Sequence, residues 1–388
     1  MTSQSPPRIG DLVEIEIEKL VAGGEGLGRA GGFVIFARPA FPGDRVRVEI
    51  TEARRSFARG IVEELISPGS ERKASPCPIA AACGGCDWTS YRLDAQLRAK
   101  RQILIESLTR IGKLPAEEIP GVALHASALD YRLRSRLHFD DDGTPGFFEI
   151  RSHTVVPLIP ECEVIGPQLR SRIVRDDIRG APGSERVFLE NERELISGDP
   201  SDDGESLVFS VRGFRYTVGL SSFFQVNRHL LGSLVDLVMA HAEKSARRDR
   251  ALDLYGGVGF FAIPLATRFS KVVSVESDPQ AHRLAKENGG SAGVDARKSD
   301  VLAYLERETA RPDFVFLDPP RSGAHPDVID GIDRLDPESI SYLSCDPVRL
   351  ARDLAKFRSK GWKLESLDLV DLFPNTHHVE TLVSLSAS

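Results

Sequence analysis

From Ser221 onward short apolar runs alternate with helical patterns, and this alternation limits the fold more than any other feature of the chain. The runs lie at 251–254, 272–275, 314–317 and 340–344, with a last one at 382–385 behind Glu380. Helical spacing fills the gaps, starting with 227–242. Strands of this length separated by helices predict a parallel, doubly wound sheet covered on both faces. Such sheets bind ligands beyond the carboxyl ends of their strands. The residues that close each run are therefore the first candidates for function.

The first run leads into Asp253-Leu254-Tyr255-Gly256-Gly257-Val258-Gly259 and then into a helix. Glycines at 257 and 259 let the backbone approach a ligand closely. Glu276 closes the second strand and Asp300 the third, so one acidic group stands at each of three successive strand ends. A carboxylate at Glu276 can accept from both hydroxyls of a ribose. The dinucleotide pattern G-x-G-x-x-G is not met, because Gly259 continues to Phe260, Phe261 and Ala262. An acid-x-x-x-Gly-x-Gly loop with this acidic trio resembles the class I S-adenosylmethionine-dependent methyltransferases, whose cofactor has no phosphate to cradle.

Asp318-Pro319-Pro320-Arg321 ends the fourth strand and Ser344-Cys345-Asp346-Pro347 the fifth, placing both on the edge that carries the glycine loop. Cys345 precedes a helical run, whose dipole is expected to lower the thiol pKa and make it a nucleophile. Glu380, entering an otherwise apolar strand, is the candidate general base. His377 and His378 are adjacent, so their side chains diverge, and they read as positioning or surface residues rather than metal ligands.

Together with Ser222-Phe223-Phe224-Gln225-Val226-Asn227 and His378-Val379-Glu380, these motifs resemble the RNA 5-methyluridine methyltransferases, and the likeness covers nearly the whole chain. It implies S-adenosylmethionine contacts from Gln225, Tyr255, Gly257, Gly259, Phe260, Glu276, Asp300 and Asp318. It also implies Cys345 as the nucleophile that adds to carbon 6 of uracil and Glu380 as the base that removes the carbon 5 proton. Phe260 stands where relatives often carry Asn or Thr, which puts a polar contact there in doubt. Gly256 replaces a small polar residue or Cys, a change expected to matter less. The (D/N)-P-P-(Y/F) clamp of exocyclic-amine methyltransferases is a rival for 318–321, but Arg321 is not aromatic and that chemistry needs no cysteine. Cytosine C5 methylation and a non-catalytic RNA-binding protein are further alternatives.

The first 66 residues alternate as half-buried strands at 11–20, 33–36, 45–50 and 59–66, with tight turns expected over Gly23–Arg29. Short strands with glycine corners read as an OB-type barrel, which often binds nucleic acid. The resemblance names it a TRAM domain. Between 67 and 138 eleven Lys and Arg face seven Asp and Glu, in a chain of net charge −7. Arg132, Arg134 and Arg136 alternate along one strand and form either a basic stripe for a polyanion or a solvated strand face. A long helix is expected over 91–113.

Five cysteines are an odd count, and with no secretory signal or apolar span the chain is expected in the cytoplasm, where disulfides do not persist. Cys77, Cys83 and Cys86 cluster, with Cys162 farther on. Four thiolates suit either zinc or a [4Fe–4S] cluster. The resemblance favours the cluster, since iron–sulfur members of that family share this three-plus-one pattern, with 23S ribosomal RNA favoured over tRNA as substrate. The expected architecture is α/β: a Rossmann-like class I methyltransferase domain at 218–388, an N-terminal OB-like TRAM barrel at 1–66 and a central α+β iron–sulfur domain at 67–217. The helix at 91–113 is placed against the catalytic domain, and the expected assembly is a monomer with an RNA partner and no membrane.

Overall fold

In the computed structural model, residues 6–202 and 204–387 are described. Strands β1 (Leu12–Leu20), β2 (Gly26–Ala30), β3 (Phe33–Arg38), β4 (Arg45–Ala53) and β5 (Phe57–Ser67) close a barrel in the order β1-β2-β3-β5-β4. Ile15, Ile17, Ile35, Val46, Val48 and Ile50 fill its interior, one from every second position, as the pleat requires. Gly26–Arg29 is not the turn expected from its glycines. Only Gly23 and Gly24 have positive φ, while Gly28 lies within β2, where a Cβ would sit 2.4 Å from the Glu16 carbonyl. Glycine here permits close strand approach rather than a corner.

The barrel is anchored to the segment that joins it to the first helix. Arg72 Nε and Nη2 reach the two oxygens of the fully buried Asp44 at 2.9 and 2.7 Å, and Phe41 stacks on Tyr91 at 4.8 Å. A bidentate, charge-assisted pair of this kind fixes orientation as well as distance. Helix α1 (Leu93–Arg110) then packs against the catalytic sheet. Its buried face carries Ile103, Leu104 and Leu108, as the periodicity predicts, and also the polar Gln96 and Lys100, which the apolar pattern passes over. Ile111, expected on the apolar face, is exposed.

Strand β6 (Val122–His125) comes after this helix. Next are β7 (Arg134–Phe139), β8 (Pro145–Phe148), β9 (Val155–Pro157), α2 (Pro167–Val174), β10 (Glu185–Glu190) and β11 (Leu195–Gly198), whose five strands form a sheet in the order β11-β10-β7-β8-β9. A hairpin, β12 (Ser206–Val211) and β13 (Phe214–Gly219), leads to α3 (Leu231–Ala242). The arginine stripe is not an open basic face. Only Arg136 is exposed; the Arg134 guanidinium donates to the Leu220 and Ser222 carbonyls, and Arg132 lies 5.6 Å from the Phe147 ring centre. Arg134 thereby fastens the segment that carries Gln225.

The remaining elements are β14 (Arg250–Leu254), α4 (Ala262–Leu265), β15 (Lys271–Glu276), α5 (Pro279–Gly289), β16 (Asp295–Lys298), α6 (Val301–Arg307), β17 (Phe314–Leu317), α7 (Pro326–Leu335), β18 (Ser339–Ser344), α8 (Pro347–Ser359), β19 (Trp362–Val370) and β20 (Glu380–Ala387). With β6 they make one sheet, ordered β16-β15-β14-β17-β18-β20-β19-β6. Residues from α1, α7 and α8, such as Leu104, Ile332 and Phe357, cover one face. Leu234, Ile263 and Tyr216, from α3, α4 and the hairpin, cover the other. The sheet is mixed rather than wholly parallel: β20 runs antiparallel to both β18 and β19. A short connection from β19 allows only a hairpin-type return, so β20 must reverse. The segment at 122–125, read with the middle of the chain, pairs parallel to β19 in this catalytic sheet.

Candidate active site and cysteine pocket

At the carboxyl end of β14 the chain turns through Tyr255 (φ 63°), Gly257 (φ 53°) and Gly259 (φ 85°). A Cβ at Gly257 would meet nothing nearer than the Phe223 carbonyl at 4.0 Å, so the loop faces open space. Glu276 braces it: one carboxylate oxygen accepts from Gly257 N at 2.9 Å and the other from Asp278 N at 2.7 Å. Beneath the loop Asp253 is fully buried and accepts from the Ser274 hydroxyl at 3.1 Å; burial pushes its pKa up to about 7. Gly256 is tighter than its sequence implied, because a Cβ there would lie 2.0 Å from Ser274 Oγ. Asp300 is exposed and caps α6 by accepting from Ala303 N at 3.1 Å. Gln225 Nε2 donates to Asp318 Oδ2 at 3.0 Å. Phe260 stands apart from this group. It is 4% exposed and packs among Tyr216, Phe224 and Phe261, so its ring belongs to the core.

The sheet register builds a second constellation beside the first. In the β18–β20 ladder Ser344 pairs with Thr381. Cys345 follows Ser344 directly and Glu380 precedes Thr381, so the two stand at the same end of this ladder, and the Glu380 charge is felt at the thiol. Asp318 comes directly after β17, its N–H donating to the Leu254 carbonyl at 3.3 Å. The three acidic or nucleophilic groups feel one another. Burial, with the Glu380 and Asp318 charges, pushes the Cys345 thiol up to about 12, while Arg321 acts in the opposite sense. Burial raises Glu380 to about 7, with Arg321 and Lys100 opposing. Burial and then the Glu380 charge hold Asp318 well above the usual carboxylate range.

The lowered thiol pKa expected for Cys345 is thus reversed. Its helix does begin at Pro347, but the Asp346 carboxylate already accepts from Val348 N and Arg349 N at 2.8 and 2.9 Å. The amides that would favour a thiolate are taken, and two neighbouring carboxyls disfavour it.

The other four cysteines come together. Cys77, Cys83, Cys86 and Cys162, none of them in a disulfide, line one pocket with Ile79, Phe147, Leu158 and Asn375. Burial raises the first three, and each also feels Cys162. Among the described residues no three or more His, Cys, Asp or Glu side chains are gathered closely enough for a single metal ion. His377 bonds Asp87 through Nδ1 at 2.6 Å, and the largely buried His378 is lowered to about 4.

Residues 278–388 match the tRNA (uracil-5-)-methyltransferase family, and residues 6–62 match the TRAM domain. An RNA methyltransferase of Corynebacterium efficiens, itself uncharacterised, is 32% identical, with 96% of this chain and 94% of that protein aligned. The chain belongs to the RNA (uracil-C5)-methyltransferase family. It is an S-adenosylmethionine-dependent RNA methyltransferase. The 23S rRNA (uracil(1939)-C(5))-methyltransferase of Shewanella sediminis is 28% identical over 97% of this chain and 96% of its own. The crystal structure of Pyrococcus abyssi tRNA (uracil-54, C5)-methyltransferase with S-adenosyl-L-homocysteine shares the fold, with a TM-score of 0.73 at 24% identity over 96% and 99% of the two chains. Among the described residues no helix is long and apolar enough to cross a membrane.

Sequence reasoning overlooked several groups that shape this methyltransferase's site. Lys100 is fully buried, donating to Asp371 Oδ1 at 2.6 Å and to the Phe373 carbonyl at 3.0 Å, beneath the turn that leads to Glu380. Its signal was a cation at helical spacing between Gln96 and Leu104, on a face otherwise bound for the core. Arg321 closes the Asp318–Arg321 motif, and the motif alone gives no sign that its charge acts on both Cys345 and Glu380. Its loop is fastened by buried Asp353, which accepts from Ala324 N at 2.9 Å and from the Tyr342 hydroxyl at 2.7 Å.

Proposed function

We propose that this enzyme methylates carbon 5 of a uridine in 23S ribosomal RNA through a covalent adduct on Cys345, with Glu380 as the base. The placement of Cys345 and Glu380 at one end of the β18–β20 ladder, near enough for the carboxyl's charge to act on the thiol, carries the reading, since the chemistry needs a nucleophile and a base at adjoining carbons of one ring. The open, braced loop at Gly257 fits S-adenosylmethionine, with Gln225, Tyr255, Glu276, Asp300 and Asp318 as the groups to hold it. When bound, that cofactor supplies the sulfonium methyl that carbon 5 takes. The Cys345 thiol gives up its proton to solvent as its sulfur bonds to carbon 6, and the electron pair of the 5,6 double bond moves onto carbon 5 and oxygen 4. After methylation, Glu380 takes the carbon 5 proton, the 5,6 double bond re-forms and the Cys345–carbon 6 bond breaks, returning the thiolate. A uridine stacked in RNA must first be splayed into the pocket.

The ribosomal substrate is favoured by the Shewanella relative; the Pyrococcus structure makes a tRNA uridine the second reading. The barrel is assigned to RNA binding. One chain supplies loop, nucleophile and base, so a cytoplasmic monomer suffices, and sedimentation at assay concentration tests it. Four cysteines lining one apolar cavity in the three-plus-one pattern of the family's iron–sulfur members are read as the ligands of a [4Fe–4S] cluster rather than of zinc. Iron and acid-labile sulfide in anaerobically purified protein support that assignment, and zinc alone refutes it. Mapping the 5-methyluridine lost on gene deletion decides between the RNAs. Cys345→Ala will form no covalent complex with 5-fluorouridine RNA, and Glu380→Gln will accumulate the methylated adduct. Normal turnover by either variant overturns the mechanism, and failure to bind S-adenosylmethionine would favour a non-catalytic RNA-binding role.

A further inference from the structure

Asn375 stands five residues before Glu380 and is a wall of the cysteine pocket. It is fully buried, and every hydrogen-bonding group it owns is engaged. Its N–H donates to Gln96 Oε1 at 2.8 Å, and its Oδ1 accepts from Gln96 Nε2 at 3.1 Å. Its carbonyl accepts from Asp87 N at 3.2 Å and Trp88 N at 3.0 Å, the two residues after Cys86. Its Nδ2 donates to Glu163 Oε2 at 3.0 Å, the residue after Cys162. The backbone is held at φ 64°, a left-handed conformation that asparagine tolerates better than most side chains. Asp87 then grips His377 through both its N–H and its ring, extending the same fastening toward Glu380.

We infer that Asn375 is a positioning residue: it clamps the turn before Glu380 to the two loops that carry Cys86 and Cys162, so the cysteine pocket sets where the base stands. The inference rests on Glu380 being the base. Its consequence is selective. Cys345 extends from β18, outside the clamp, so addition to carbon 6 proceeds without it. Elimination needs Glu380 in place to accept the carbon 5 proton while the sulfur leaves. Loosening the clamp therefore slows the last step and leaves the first intact.

The test compares wild type, Glu380→Gln, Asn375→Gly, Asn375→Asp and the pair Asn375→Asp/Glu163→Gln on the full-length holoenzyme. Glycine keeps the left-handed backbone while removing both side-chain bonds. Four quantities are read: kcat and KM on substrate RNA, the fraction of protein carried as methylated covalent adduct, and the rate of capture by 5-fluorouridine RNA. Asn375→Gly should lower kcat about 10- to 100-fold, the scale of a small misplacement of a reacting group. KM and fluorouridine capture should hold while adduct accumulates as it does in Glu380→Gln. Asn375→Asp alone sets two carboxylates against each other and should behave like the glycine variant. In the pair the new amide donates to the new carboxylate, and turnover should return. Adduct in Glu380→Gln but none in Asn375→Gly overturns this inference alone, as does an equal loss of capture and turnover. Absence of adduct in Glu380→Gln overturns the base assignment and the inference with it.

Discussion

Replacing Glu380 by Gln should disable the enzyme and stabilise it, by an amount set by pH. Glu380 is 7% exposed, and burial raises its pKa from 4.5 to about 7. The folded protein thus keeps a proton on this carboxyl to higher pH than the unfolded chain does. Where the native state binds more protons, stability falls as pH rises, so folding is penalised progressively between pH 4.5 and 7 and fully above that window. A shift of that size is worth about 3 kcal/mol at pH 8 and less than about 1 kcal/mol at pH 5. Glutamine has the same shape and no charge to bury. Urea unfolding of wild type and Glu380→Gln at the two pH values checks this: the variant should gain stability at pH 8 and little at pH 5. The same ionisation makes the base competent, so wild-type turnover should rise through pH 7. A stability difference that is flat with pH, or that shrinks toward pH 8, refutes the reasoning. It would mean that Arg321 and Lys100 compensate the buried carboxylate in full.

Cys345, raised to about 12, should react with iodoacetamide at pH 8 at least about tenfold more slowly than an ordinary thiol, because the thiolate reacts. Asp318→Asn, removing a neighbouring carboxyl, should speed that labelling, as read by mass spectrometry of the Cys345 peptide. Gly256→Ala drives a Cβ onto Ser274 Oγ and should weaken S-adenosylmethionine binding by calorimetry, with Ser274→Ala restoring part of it. Lys100→Met leaves Asp371 buried without its cation and should cost about 3–5 kcal/mol in urea unfolding, the range for breaking a buried pair.

Much of this site was legible because its residues end strands. A run such as Phe314–Leu317 announces its own length, and the chemistry after it, Asp318 onward, is placed at one edge by the βα rule alone. Local rules failed where distant parts of the chain meet. Nothing in 122–125 says that it will pair with 367–370, and nothing in Gly26–Arg29 distinguishes a turn from a strand whose glycines admit a neighbour's carbonyl. The helix dipole does not lower the Cys345 thiol, because tertiary structure buries it and brings two carboxyls near, and Asp346 consumes the helix amides. Phe260 was carried over by motif position, and the aromatic cluster that claims it comes from Tyr216 and Phe224, thirty-six and more residues upstream.

The reversal of β20 ties the two reacting groups to one register. Cys345 follows directly on β18 and Glu380 opens β20, so only an antiparallel insertion brings both to the same end of the ladder. Side chains alternate along a strand, so a slip of β20 by one residue against β18 would turn Glu380 to the opposite face and leave Cys345 where it is. A chain misregistered at that one ladder would keep its thiol and its cofactor loop and lose its base.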